Sequence, residues 1–290
     1  MNHSAISAIH KLPNPVFERL YDHLYFDTDL KKRLVSQIVL TFLLRSKFPS
    51  GTLPIHGIIL LHGPPGTGKT SVARAVASKA ASIVNRERPM RLMEVDPHAL
   101  TGSALGKSQK EVVKLFQETI VEEAAKGPLI VLLDEVETMA SSRQKVSLEA
   151  NPIDVHRATD AVLTGLDAIA SSNPDIIFLC TSNFHHALDE AFISRTDFMA
   201  FVDFPGDNAR QTIIDDTLAT LGTAWGPIQK LRDEQKVNQL VQLSKGLDGR
   251  AIRKKILMAL SMDTRLATNP GELTIEHLAM AFAETSSTKK

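Results

Sequence analysis

The chain predicts an α/β fold in which a parallel five-stranded sheet is followed by an all-helical C-terminal lid. Two observations carry this. Five short apolar runs alternate with longer amphipathic segments from residue 57 to residue 203, and beyond Pro205-Gly206 only helical periodicity remains. The first 50 residues read as helical material, with Phe17, Leu20 and Leu24 on one stripe and Leu34, Ile38, Phe42 and Leu43 on another, up to the turn-rich Pro49-Ser50-Gly51. The sheet opens with Gly57–Leu61, followed by a helix over Lys69–Val84 and a second run at Arg91–Val95. Ser108 with Glu111 three residues on has the spacing in which two side chains satisfy backbone N–H groups at a helix start; Val112, Leu115, Phe116 and Ile120 supply that helix's buried face. Leu129–Leu133 is apolar without alternation, as a strand covered on both faces must be. Asp154–Ser171 is helical through Val155, Val162, Leu166 and Ile169, and Ile176–Thr181 and Phe198–Asp203 complete the sheet. Beyond it, Asp248 caps a helix carrying Ile252, Ile256, Leu257 and Leu260, and Thr274 precedes one with Leu278 and Phe282. The expected division is residues 1–205, the N-terminal helices plus the α/β part, and residues 206–290, the lid.

Composition closes off several function classes. With 33 Lys plus Arg against 33 Asp plus Glu the formal charge is zero, so no global field draws the molecule to nucleic acid or an anionic membrane. The start MNHSAISAIHKLPNP lacks a basic segment followed by an apolar one, and no stretch of about 18 apolar residues occurs, so neither secretion nor a membrane span is expected. The single Cys180 lies in an apolar run and makes no intrachain disulfide, which fits a reducing, cytoplasmic setting.

The chemistry is concentrated in two places. Gly63-Pro64-Pro65-Gly66-Thr67-Gly68-Lys69-Thr70 matches GxxxxGK[ST] between an apolar run and a helix. Its glycines let backbone N–H groups turn inward around phosphates, Lys69 and the helix start add positive charge, and the Thr70 hydroxyl suits Mg²⁺. Sixty-four residues beyond Thr70, the Leu129–Leu133 run ends in Asp134 and Glu135, delivering two carboxylates to the sheet edge where α/β folds bind ligands. Asp134 is the expected Mg²⁺ residue and Glu135 the one that polarises the attacking water. Asn183, following another apolar strand, has the place to hold that water, whereas Arg195 and Arg250 gain meaning only from their order in the chain. The adjacent His185-His186 has no ligand set around it and reads as surface.

The ordered set Gly63–Thr70, Asp134/Glu135, Asn183, Arg195 and Arg250, closed by helices, resembles the AAA+ P-loop NTPases across residues 20–285. Within that superfamily the chain resembles the pachytene-checkpoint, or thyroid-receptor-interacting, ATPases, which remodel HORMA-domain proteins. The matching stretches are Leu60-Leu-His-Gly-Pro-Pro-Gly-Thr-Gly-Lys-Thr-Ser71, Leu133-Asp-Glu-Val-Glu137, Ala161-Val-Leu-Thr-Gly-Leu-Asp167, Thr181-Ser-Asn183 and Gly246-Leu-Asp-Gly-Arg250. The resemblance implies ATP and Mg²⁺ as ligands, Asn183 as sensor 1, Arg195 as an arginine finger reaching a neighbour's ATP, Arg250 as sensor 2, and a homohexamer that partly unfolds a HORMA-domain partner.

The chain departs from the family in three places. Asp248 stands where relatives commonly have Ser, an exchange of one good helix cap for another. Only about 50 residues precede the first sheet run, too few for the adaptor domain of eukaryotic relatives, which points to a short bacterial member. Such members are linked to antiphage systems containing a HORMA protein and a nucleotide second-messenger synthase. The substrate pore loop aligns with Ser103, Ala104 and Leu105 between Gly102 and Gly106, so that Leu105 replaces the usual aromatic grip; Gln144–Asp154, with His156 beside it, is a candidate second pore loop. The competing readings are an AAA+ nucleic-acid motor or clamp loader, disfavoured by zero net charge, and a small-molecule phosphotransferase, disfavoured by Arg195 and the lid.

Overall fold

The computed structural model describes residues 3–24, 28–84, 88–101, 107–140 and 152–284. In chain order these form β1 (Ile6–Lys11), α1 (Pro15–His23), α2 (Thr28–Lys47), β2 (Ile58–His62), α3 (Lys69–Ile83), β3 (Arg91–Val95), α4 (His98–Thr101) and α5 (Lys107–Lys114). A π-turn at Leu115–Thr119 leads into α6 (Ile120–Ala124), then come β4 (Leu129–Leu133), α7 (Pro152–Ser172), β5 (Ile176–Ser182), α8 (Glu190–Ser194) and β6 (Phe198–Phe201). The remaining helices are α9 (Asp207–Ala224), α10 (Glu234–Leu243), α11 (Gly249–Ala259), α12 (Thr264–Thr268) and α13 (Ile275–Ala283).

The sheet order is β1-β3-β4-β5-β2-β6. Strands β2 to β6 are parallel, the five the apolar runs predict. β1 is a sixth, antiparallel to β3, so the reading of the first 50 residues as helical is corrected at its start. Its six residues alternate half-buried with exposed, Ile6, Ala8 and His10 facing inward, a period of two that is too short to stand out beside the helical stripes after it. What fixes β1 is tertiary: the Ser7 hydroxyl donates to the Glu94 carbonyl at 3.1 Å, and His10 Nε2 lies 3.3 Å from the Glu94 carboxylate. Smaller corrections concern helix starts and faces. α5 begins at Lys107, placing Ser108 inside its first turn; Leu43 and Leu257, placed among the apolar residues of their helices, are exposed; β6 ends at Phe201, short of Asp203.

Both faces of the sheet are covered, since every residue of β4 and β5 is buried, and on one face Leu129, Val131 and Leu133 join Ile176, Phe178 and Cys180 in a single apolar cluster. Phe116 stacks on Phe178 with ring centroids 5.8 Å apart. Gly165 is required there, because a Cβ on it would fall 2.6 Å from the Phe116 ring. Arg45, at the end of α2, is 8% exposed and donates to the carbonyls of His56, Ile169, Ala170, Asn173 and Ile176 at 2.7–3.3 Å. It thereby ties α2 to the C-terminal end of α7 and the entry to β5; burial holds its pKa below the usual arginine value despite nearby Asp197 and Asp175.

By their contacts the described residues fall into two compact units, one holding 3–24, 29–65 and 69–202, the other 28, 66–68 and 203–284. The second unit's core gathers Ile213, Leu218, Leu240, Ile252, Ile256 and Leu278. Asp233, Asp248, Asp263 and Thr274 each accept a first-turn N–H and start four of its helices.

Candidate functional site

The chain must turn between the end of β2 at His62 and the start of α3 at Lys69, and residues 63–68 make that turn. Gly63 has φ +152°, and a Cβ on it would lie 2.1 Å from the Val202 carbonyl, where the chain leaves β6. No other residue fits. Gly66 and Gly68 follow with φ of +86° and +87°. Lys69 folds its ammonium back into the turn, donating to the carbonyls of Gly63 at 2.9 Å and Pro64 at 2.7 Å. Burial pushes its pKa below the ordinary lysine value, against the pull of Glu137, Asp134 and Glu135.

Strand register brings the acids to this turn. Leu133 of β4 lies opposite Cys180 of β5, and Leu61 of β2 lies opposite Thr181, so Asp134, one residue past β4, meets Thr181. The Thr181 hydroxyl donates to Asp134 Oδ1 at 2.5 Å, and the Thr70 hydroxyl donates to the same oxygen at 2.7 Å. Two hydroxyls from two elements thus converge on one carboxylate oxygen.

Glu135 is the one non-glycine residue with positive φ among the described residues, at φ 54° and ψ 51°. A left-handed conformation at a long side chain costs on the order of 1–3 kcal/mol. Its N–H donates to the Thr181 hydroxyl oxygen at 3.0 Å, which anchors the turn. The carboxylate is held at both oxygens: Asn183 Nδ2 donates to Oε1 at 2.9 Å, and His98 Nε2 lies 3.2 Å from Oε2. Asn183 is itself fixed through its N–H, which donates to Glu137 Oε1 at 2.9 Å.

The structure therefore gathers Thr70, Asp134, Glu135 and Asn183 into one cluster around the turn that carries Lys69. Arg195 is engaged elsewhere. Its Nε and one terminal nitrogen grip both oxygens of Asp167 at 2.7 and 2.8 Å, while the other donates to the Ala191 carbonyl at 2.7 Å. The pairing holds the Asp167 carboxyl below the usual carboxylate range and raises the guanidinium further. Arg250 lies in the second unit, exposed on the first turn of α11, its N–H donating to Asp248 Oδ1 at 2.8 Å. Ser103, Ala104 and Leu105, and the 144–151 part of the second candidate loop, lie outside the described residues; His186 is exposed. Sequence reasoning missed Thr181, His98 and Glu137 as members of the cluster, and Asp167 as the partner of Arg195. Thr181, Glu137 and Asp167 lie within the stretches that carry the family resemblance, where no role was read for them, whereas His98 lies in none; their contacts are set by register or chain crossing, which the sequence does not display.

The profile of the ATPase family associated with various cellular activities (AAA) matches residues 59–204. CD-NTase-associated protein 6 of Pseudomonas aeruginosa is 48% identical over 94% of this chain and 90% of its own. The pachytene checkpoint protein 2 homolog of Xenopus tropicalis is 31% identical over 97% of this chain and 69% of its own. The chain belongs to the AAA ATPases, in the pachytene checkpoint protein 2 group. Its fold is also that of a chain in the E. coli MS115-1 HORMA:CdnC:Trip13 complex, with a TM-score of 0.77 and 19% identity over 99% of this chain and 97% of that one. As a family member this protein binds nucleotide and is an ATPase, and the two families of sequence features, the glycine turn and the strand-end acids, lie within the matched span. Among the described residues no helix is long and apolar enough to cross a membrane.

Proposed function

We propose that this ATPase works as a homohexamer that spends ATP hydrolysis on partly unfolding a HORMA-domain protein, switching that partner's conformation within an antiphage system containing a nucleotide second-messenger synthase. The observation that carries the reading is the 48% identity, over nearly the whole chain, to a relative whose name associates it with a CD-NTase. The E. coli Trip13 chain of like fold stands in a complex with HORMA and CdnC. A reducing cytoplasm agrees with Cys180, whose buried thiol has its pKa pushed up by desolvation.

In this reading the amides of residues 63–68 and the Lys69 ammonium hold the phosphates. The Thr70 hydroxyl and the Asp134 carboxylate, 2.7 Å apart, are the hard oxygen donors that Mg²⁺ takes, so the residues fit the ion. Bound there, Mg²⁺ supplies charge neutralisation at the β- and γ-phosphates. Glu135 accepts a proton from the attacking water, whose oxygen forms the new bond to the γ-phosphorus as the bond to the ADP oxygen breaks; Asn183 orients water and carboxylate together. Arg195 serves the neighbour's site from its Asp167 clamp, and Arg250 reads the nucleotide from the lid, which we place at residues 206–290. Ser103, Ala104 and Leu105 grip the partner's peptide.

The test is conversion of a purified HORMA-domain partner by this chain, with ATP, without ATP, and with the Glu135→Gln variant. Conversion by wild type with ATP alone is expected. Equal conversion in all three reactions refutes an ATP-driven remodeller.

A further inference from the structure

Residues 3–6 form a tight turn leading into β1, with the Ile6 N–H donating to the His3 carbonyl at 3.0 Å, and their hydrogen bonds reach both stretches that flank residues 102–106. The His3 ring is 1% exposed. Its Nδ1 accepts the Ala5 N–H at 3.2 Å, which assigns the ring proton to Nε2; that nitrogen faces the Glu111 carbonyl at 3.1 Å and the Glu111 carboxylate at 3.3 Å. So His3 holds the far flank, on α5. The near flank is held by the next link: the fully buried Ala5 accepts the Asp96 N–H at 2.8 Å, and Asp96 Oδ1 in turn accepts the His98 N–H at 2.9 Å. His98 then reaches Glu135 Oε2. The Glu135 side chain is 46% exposed, so packing does not choose its rotamer; its hydrogen-bond partners do.

We propose that His3 is a positioning residue for ATP hydrolysis: the turn at residues 3–6 latches both flanks of the 102–106 segment to the edge of the sheet and, through Asp96 and His98, sets the attitude of the Glu135 carboxylate. The proposal rests on Glu135 as the residue that takes the proton from water. It gives β1, the strand outside the parallel set, a task at the site. An error of about 1 Å in a catalytic carboxylate costs on the order of 10²-fold in rate, and a loosened rather than displaced carboxylate costs part of that.

The experiment compares the full chain with His3→Ala, His3→Gln and Glu135→Gln. Gln keeps a donor toward Glu111 and an acceptor for Ala5, whereas Ala keeps neither. His3→Ala is expected to lower kcat about fivefold with KM for ATP within about twofold, and His3→Gln to recover most of the loss. Amide hydrogen exchange without nucleotide should rise about tenfold in peptides covering 96–101 and 107–114 and stay level in β4 and β5. The proposal is overturned by unchanged kcat in His3→Ala, by unchanged exchange at the flanks, by exchange rising equally through β4 and β5, or by Gln performing no better than Ala. Glu135→Gln separates the two ideas. If it is inactive while His3→Ala is normal, the latch alone fails; if it turns over normally, the role of Glu135 fails and the latch's link to hydrolysis with it.

Discussion

Thr181→Val removes one oxygen at the junction of Asp134 and Glu135 and leaves the shape of the side chain almost unchanged. Thr181 is 1% exposed, so water does not replace what is lost. Asp134 loses a hydroxyl donor, a charge-assisted bond with a net value of about 1.5–3 kcal/mol, although Thr70 still donates to the same oxygen. The Glu135 N–H loses its acceptor, at a cost of about 1–3 kcal/mol for a buried donor left unpaired. Less about 0.8 kcal/mol regained by burying a methyl in place of a hydroxyl, the expected loss of stability is about 2–5 kcal/mol. The left-handed turn at Glu135 also loses the bond that anchors it, so kcat should fall by roughly tenfold or more while nucleotide affinity changes little. Urea denaturation and steady-state hydrolysis measure the two effects. Thr181→Ser is the control, since it keeps the hydroxyl and should lose less than about 1.5 kcal/mol. Wild-type stability and turnover in Thr181→Val would refute the reasoning. Equal damage from Val and Ser would show that packing, not the hydroxyl, matters.

Lys69→Ala should abolish tight nucleotide binding whereas Glu135→Gln keeps binding and stops hydrolysis; nucleotide titration beside phosphate release separates them, and near-normal turnover by Glu135→Gln sinks its assignment. Arg195→Ala should bind ATP and hydrolyse it poorly, and mixing it with Lys69→Ala protomers should restore part of the activity if the guanidinium acts on a neighbour; full activity of Arg195→Ala alone rules that role out. Because Arg195 depresses the folded-state pKa of Asp167, their pair contributes stability that is full above the unfolded carboxylate value of about 3.9 and is lost as pH falls through the lower folded value. The stability gap between wild type and Asp167→Asn should therefore hold steady above about pH 5 and shrink below about pH 4, and a gap that widens on acidification contradicts the pairing. Arg45→Met should cost about 3–5 kcal/mol in denaturant titrations, because five backbone carbonyls lose one shared donor; a cost under about 1 kcal/mol would mean that water reaches them.

The parallel strands were legible because each is an unbroken apolar run, and Leu129–Leu133 needs no partner to be read as buried on both faces. β1 was not. Its alternation spans six residues, and its stability comes from pairing with β3 and from Glu94, neither of which the local pattern reveals. The helix start at Asp248 was readable from one side chain and two following amides, whereas the exposure of Leu257 and Leu43 was not, because a stripe of helical spacing does not say where the buried arc ends.

The site divides along the same physical line. The residues we propose to meet the nucleotide carry demanding chemistry within short contiguous motifs, as in Gly63–Thr70 and Asp134-Glu135, and such motifs are visible in a single sequence. Residues that hold those groups need supply only a hydroxyl, an imidazole or an amide at a point the fold chooses. Thr181 meets Asp134 only because Leu133 pairs with Cys180; a slip of one residue between β4 and β5 would point the hydroxyl at the opposite face of the sheet. His98 meets Glu135 from the turn just past β3, where the Asp96 N–H donates to the Ala5 carbonyl and Asp96 Oδ1 accepts the His98 N–H. The Glu135 carboxylate is therefore specified twice: once by type in the sequence, and once by position through strand register, a left-handed backbone turn and two hydrogen-bond partners separated from it by 37 and 48 residues. Substitution of His98 leaves every quoted stretch intact, and substitution of Thr181 leaves Gly63–Thr70 and Asp134-Glu135 intact, yet each removes a hydrogen bond that holds Glu135, so these two positions test the site more sharply than any further glycine of the turn.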